Sequence, residues 1–414
     1  MKRGWPAWTA LSFVIAATTW RWWHSHGTSD VQWFMTWMNH VMARGPIQGY
    51  IDIHGDYPPG TSFVLWIAGH LAIATTHDPS AVLKFVLLGF LLLSTTILLA
   101  ASRRPGLAAF AYGALVVNAF GLMYLDILTA PFVIGAVWAA SAGRTTLMAG
   151  LLAAACVMKW QPIFIMPFGV IYILRAASDG GIRWRRQATS FFTGRAGGAA
   201  TVAGGIAAVI VLVYGFPAVS DAFYRASRHN ALSNFGANPL WILTWWFERN
   251  APAGERALTP EGFVSILSAS RPILRALSLI SLIAYVTVLR AYWRSADRTS
   301  AGFVRFALAG YLVYFMCSAG VHENHLFLAS LLSIVLAWQT PRFLWVAVVL
   351  AVAANLNLVA FYGWDGGGAE QFSVGIDVTV WLALGVSVAV AAIIWRLTAN
   401  DARNTSTANP GVLS

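Results

Sequence analysis

The chain has 414 residues, 58% of them hydrophobic and only 10% charged, with a net charge of +11 and a mean hydropathy of +0.64. A soluble domain carries roughly 25% charged residues, so this chain lacks the polar surface to coat a water-soluble globule. The basic excess does not indicate nucleic acid as a partner, because most arginines flank apolar runs, where charge sets the orientation of membrane segments. Cys156 and Cys317 lie about 160 residues apart in apolar stretches; they read as packing residues, with no disulfide framework or metal site.

Apolar runs recur along the chain at close to the ~20 residues that span a bilayer core. In lipid their backbone groups must be satisfied internally, so these runs are predicted to be helices, and the fold class is an all-α polytopic membrane protein. The first run follows Met1-Lys2-Arg3 without a small-residue cleavage site and reads as a retained anchor. With Lys2 and Arg3 cytoplasmic, the later arginine clusters fall on the same side on one condition. The run at 61–76 must stay on the outer side as a juxtamembrane helix. Twelve spans then follow, at about 5–20, 82–101, 107–122, 128–142, 145–159, 161–174, 198–216, 274–291, 301–318, 325–340, 343–361 and 378–395. Both termini are expected inside. Residues 1–340 form the main domain and 341–396 a C-terminal helix pair, while 397–414 form a polar, disordered cytoplasmic tail. The inner basic loop, with Arg175, Arg183, Arg185, Arg186 and Arg195, is expected to contact anionic lipid headgroups.

Two long outer segments remain, 21–81 and 217–273. Thirteen of the sixteen carboxylates fall on the outer side; carboxylates contribute little to topology, so a polar site opening outward is the natural cause of the skew. Asp30 opens the first segment, and Phe34, Met35, Met38, Val41 and Met42 follow at helical spacing, predicting an amphipathic interfacial helix. Asp30 is either its cap or a functional acid. Asp56 precedes Tyr57-Pro58-Pro59-Gly60, which fixes an extended turn. Asp126, Lys159, Arg228, Asn238 and the run His322-Glu323-Asn324-His325 lie at other outer ends. Lone Lys159 or Arg228 side chains would snorkel to headgroups. Together with the acids they could instead hold an anionic headgroup beside a general base.

In this order, Asp30 with Trp37, Asp56-Tyr57-Pro58-Pro59, Asn118…Leu125-Asp126, Lys159 with Gln161, Ala237-Asn238 ahead of Trp241, and His322-Glu323 resemble a known family. It is the GT-C glycosyltransferases that use polyprenyl-phosphate sugars, and in particular the dolichyl-phosphate-glucose glucosyltransferases of N-glycan precursor assembly. The resemblance spans roughly residues 30–330. It implies two juxtamembrane helices in the first outer loop, inversion at the anomeric carbon, Asp30 as general base and Asp56 in the same site. His322 and Arg228 are implied as phosphate ligands, with Lys159, Asp126, Asn238 and Glu323 as further donor or substrate contacts. Gln32 stands where the family carries an acid, Asn324 where it carries a Lys, and Arg228 fits after a one-residue shift, so sugar and acceptor stay open. The expected partners are a polyprenyl-phosphate sugar, of undecaprenyl type in a bacterial inner membrane, a lipid or glycan acceptor, and membrane lipids. A monomer acting without a metal or other cofactor is expected. A secondary transporter or lipid flippase is the alternative, and a non-catalytic scaffold a further one.

Overall fold

The computed structural model describes residues 5–178, 194–227, 231–250, 271–367, 373–374 and 376–399. Arg228, Arg183, Arg185 and Arg186, as well as residues 400–414, lie outside them. The described residues are almost all helical: α1 (Trp5–Trp22), α2 (Asp30–Arg44), α3 (Gln48–Ile53), α4 (Pro59–Thr75), α5 (Pro79–Ser102), α6 (Pro105–Val116), α7 (Ala130–Ser141), α8 (Thr145–Met158), α9 (Met166–Ser178), α10 (Arg195–Tyr214), α11 (Phe216–Ser227), α12 (Pro239–Asn250), α13 (Arg271–Arg294), α14 (Ser300–Cys317), α15 (Leu326–Gln339), α16 (Leu344–Tyr362) and α17 (Val378–Ala399).

The punctuation is local chemistry. Proline stands at the first turn of α4, α5 and α6, where its missing N–H costs nothing and its fixed φ suits the helix. Asp78 caps α5 by accepting from the Ala81 N–H at 3.0 Å. Lys84, buried within the apolar α5, donates to the carbonyls of Trp22 (2.7 Å), Trp23 (3.2 Å) and Ser25 (2.6 Å). The cation thus occupies the carbonyls left over where α1 ends.

Among the described residues six helices, α5, α10, α13, α14, α16 and α17, are long and apolar enough to cross a bilayer, as in a helical membrane protein. Their outward faces are apolar, as at Leu212, Ile280 and Ile283. Each of the twelve expected spans coincides with helix, but a count of twelve is not what helix length supports. With the π-helical and 3-10 turns that adjoin them, α6 and α7 run Pro105–Gly121 and Leu125–Ser141, and α8 is Thr145–Met158; they reach about 21–26 Å against a core of roughly 30 Å. The C-terminal helix also runs further than expected, to Ala399, past the predicted start of the tail at 397.

α14 is the most enclosed of the six and packs against α9, α13, α15 and α17, while α15 packs on α16. The predicted amphipathic helix is present as α2, burying Val31, Phe34, Met38 and Val41 against α4, which packs in turn on α5. Two short connections pair in parallel, with Ser233 opposite Val321 and Asn234 opposite His322. This pairing ties the segment before α12 to the His322-Glu323 run.

Candidate functional site

Helix ends converge on one cavity of about 2140 Å³. The start of α2 brings Asp30, the turn before α4 brings Asp56 and Tyr57, and the end of α8 brings Lys159. The turn between α14 and α15 brings His322 and Glu323. Five of the eight residues expected from sequence therefore line a single space. Asp126 lies directly behind it, and Arg228 is outside the described residues.

Lys159 follows α8 with an extended backbone, φ −156° and ψ 150°. Its ammonium meets the Asp126 carboxylate at 2.7 Å, and both side chains are buried. The Lys159 Nζ also donates to the Tyr57 hydroxyl at 3.3 Å and lies 4.9 Å from the centre of that ring. The second oxygen of Asp126 accepts from Asn324 Nδ2 at 3.1 Å. A buried charge persists only when paired and hydrogen-bonded, and here each partner has both. Lys159 does not snorkel to headgroups; it presents a fixed positive charge at the cavity wall.

Glu323 also lines the cavity, accepting from the Tyr124 hydroxyl at 2.5 Å. Burial, and next the charge of Asp30, push its carboxyl up to about 7, so it keeps its proton over a pH range in which an ordinary glutamate is already ionised. Burial raises Tyr57 and Tyr124 well above the usual phenol range, helped next by the charge of Asp126 for Tyr57 and of Glu323 for Tyr124. The amide of Asn234 donates to His322 Nε2 at 3.1 Å. That leaves the ring proton on Nδ1, 3.9 Å from Glu323 Oε2.

Asp30 is the first residue of α2 and is half-buried. Ser29 holds the cap position, without a side-chain cap bond, and Asp30 is the acidic residue of the first turn. The backbone of Asp56 is anchored to the end of α8, its carbonyl accepting from Trp160 Nε1 at 2.9 Å. Three carboxyl groups, of Asp30, Asp56 and Glu323, and the buried cation of Lys159 thus face a space large enough for an organic substrate. Among the described residues, no group of three or more His, Cys, Asp or Glu is arranged to hold a metal.

Asn238 is placed differently. It is fully buried and does not line the cavity. Its Nδ2 donates to Phe315 O at 2.8 Å, while Oδ1 accepts from the N–H groups of Leu240 and Trp241, both at 3.1 Å. It is the cap of α12, and Asn before Pro-Leu-Trp was a readable cap signal. Asn238→Ala is expected to lower stability by about 1–2 kcal/mol, the loss of a good cap, with no change in substrate affinity. Unfolding midpoints beside binding isotherms check this, and weakened binding at unchanged stability would return Asn238 to the site.

Arg275 is the cation that sequence reading missed. It lines the cavity from the first turns of α13, followed on the same wall by Ser278, Ser281 and Tyr285, and forms no ion pair among the described residues. Polar residues three to four apart in a run otherwise apolar are the signal that could have revealed this face. A scan against protein-family models gives no match to the chain, and a search of curated proteins gives none.

Proposed function

We propose that the protein is an integral membrane glycosyltransferase that moves a sugar from a polyprenyl-phosphate donor to a lipid-linked or cell-envelope glycan acceptor. One observation carries the reading: Asp30, Asp56, Lys159, His322 and Glu323 line one cavity, although nearly 300 residues separate the first from the last. Asp30 takes the proton of the acceptor hydroxyl as its oxygen bonds to C1 of the sugar. The C1–oxygen bond to the donor phosphate breaks on the opposite face, with inversion, and the electron pair leaves on the phosphate. Lys159, Arg275 and the Nδ1–H of His322 offset the charge growing there. A phosphate needs less protonation than an alkoxide, which suits a site with one base and several cations.

The twelve-span GT-C-like arrangement, with α2 and α4 as outer juxtamembrane helices and the site facing away from the cytoplasm, belongs to the same proposal. The charge pattern, more than its 17-residue length, keeps α4 on the outer side: if it crossed, Arg103 and Arg104 would face outward. A single cysteine at exposed His77, in a background lacking Cys156 and Cys317, is expected to react with an impermeant thiol reagent in spheroplasts. Protection there, with labelling of Ser102→Cys instead, would invert every later loop. Function is tested with purified protein, radiolabelled polyprenyl-phosphate sugar and a glycan-lipid acceptor. Release of polyprenyl phosphate is expected, whereas a transporter or scaffold would release none.

A further inference from the structure

Behind Glu323, away from the main cavity, lies a second space of about 10 Å³, walled by apolar side chains and by Asn118, Glu323, Asn324, Ser330 and Asn355. Five buried polar atoms around it have no hydrogen-bond partner: both amide atoms of Asn118, Asn324 Oδ1, Ser330 Oγ and Glu323 Oε2. The Asn355 amide, by contrast, donates to the carbonyls of Ala114 and Ala351. Asn118, Asn324, Ser330 and Glu323 are all more than nine-tenths buried.

Local structure aims these atoms inward. Asn118 lies in a π-helical turn, Val117–Gly121, that continues α6; such turns insert an extra residue and are frequent at functional sites. Asn324 gives its Nδ2 to Asp126, which leaves its oxygen toward the space. Ser330 is the telling case. Buried helical hydroxyls here normally bond the carbonyl four residues back, as Thr95 does to Leu91, Thr244 to Leu240 and Ser387 to Ala383. Ser330 makes no such bond.

We infer that this space is a binding site for one structural water, held by Asn118, Asn324 and Ser330, which accepts a hydrogen bond from the carboxyl of Glu323. The volume suits one water and no organic ligand. The donor and acceptor count also selects water. The oxygens of Asn118 and Asn324 take its two hydrogens, and its two lone pairs accept from Ser330 and from a protonated Glu323. An ionised Glu323 would be a third acceptor for only two hydrogens. The water closes a chain of contacts from Lys159 through Asp126 and Asn324 to Glu323 and Tyr124. It makes Glu323 a positioning residue that stays neutral beside Asp30, His322, Tyr124 and Tyr362. The raised proton affinity of Glu323 agrees with this.

The test uses the full chain in lipid nanodiscs and needs no substrate. A structure fine enough to show ordered water is expected to place one peak within hydrogen-bond reach of Asn118, Asn324, Ser330 and Glu323; an empty space overturns the proposal. Infrared spectroscopy supplies a second arm, with the protonated-carboxyl band of Glu323 assigned by its loss in Glu323→Gln. Asn118→Leu should displace the water and move that band to higher frequency, and Ser330→Ala, the milder change, should move it less. An unmoved band in both folded variants overturns the assignment. Thermal stability that rises when sodium replaces choline at equal ionic strength, and loses that rise in Ser330→Ala, would mean a cation site instead.

Discussion

Asp30→Asn is expected to lower sugar transfer by about 10²–10⁴-fold, the usual contribution of a positioned general base, while the protein folds as before. Asparagine keeps the shape of the side chain and the start of α2, and gives up the favourable interaction of a carboxylate with the helix N-terminus, about 0.3–1 kcal/mol. The variant has a second, independent signature. The charge of Asp30 is, after burial, the main influence raising Glu323 to about 7. Removing that charge makes Glu323 easier to ionise, so its proton affinity falls, while burial holds it above the ordinary glutamate range. An infrared pH titration of the Glu323 carboxyl reads this directly. Near-normal turnover in Asp30→Asn would end its role as base. An unmoved Glu323 titration would show that the two acids do not sense each other.

What could be read in advance, and what could not, follows from the range of the interactions. α2 was legible because its buried face, Val31, Phe34, Met38 and Val41, repeats at helical spacing, and Pro58-Pro59 marks where α4 begins. Both are short-range signals. The pairing of Lys159 with Asp126 was not legible. The two are 33 positions apart, and α7 and α8 must fold back on each other before they meet. Asn238 was misjudged although its cap signal was local, because its position in a family-like order drew it into the site. Arg275 was hidden by the opposite error. It opens a run read as a uniform apolar span, although one face of α13 carries Arg275, Ser278, Ser281 and Tyr285 into the cavity. Hydropathy also does not measure where a regular helix ends. Residues at 107–122 are apolar except for Asn118, yet α6 ends at Val116 and gives way to the π-helical turn that carries Asn118.

The largest stability effect is expected at the Lys159–Asp126 pair. Lys159→Met removes the cation and leaves a buried carboxylate held only by the Asn324 amide at 3.1 Å. Breaking one side of a buried ion pair costs about 3–5 kcal/mol, and both side chains here are more than nine-tenths buried, so solvent screening does little to reduce that figure. The double variant Lys159→Met/Asp126→Asn takes away both charges and lets the amide bond Asn324 in place of the carboxylate. It should recover most of the lost stability, since a well-packed neutral pair is often no worse than the ion pair it replaces. The difference between the single and double variants is the coupling energy, and residues in direct contact are where additivity fails. Denaturant unfolding in detergent, followed by tryptophan fluorescence, measures it. Donor binding separates stability from function: the rescued double variant should fold well and still bind polyprenyl phosphate weakly, because the cavity has lost its fixed cation. A loss below about 1 kcal/mol in Lys159→Met would fit a solvent-screened pair and contradict the buried one. Wild-type binding by the double variant would leave Lys159 a structural residue and shift the phosphate to Arg275 and His322.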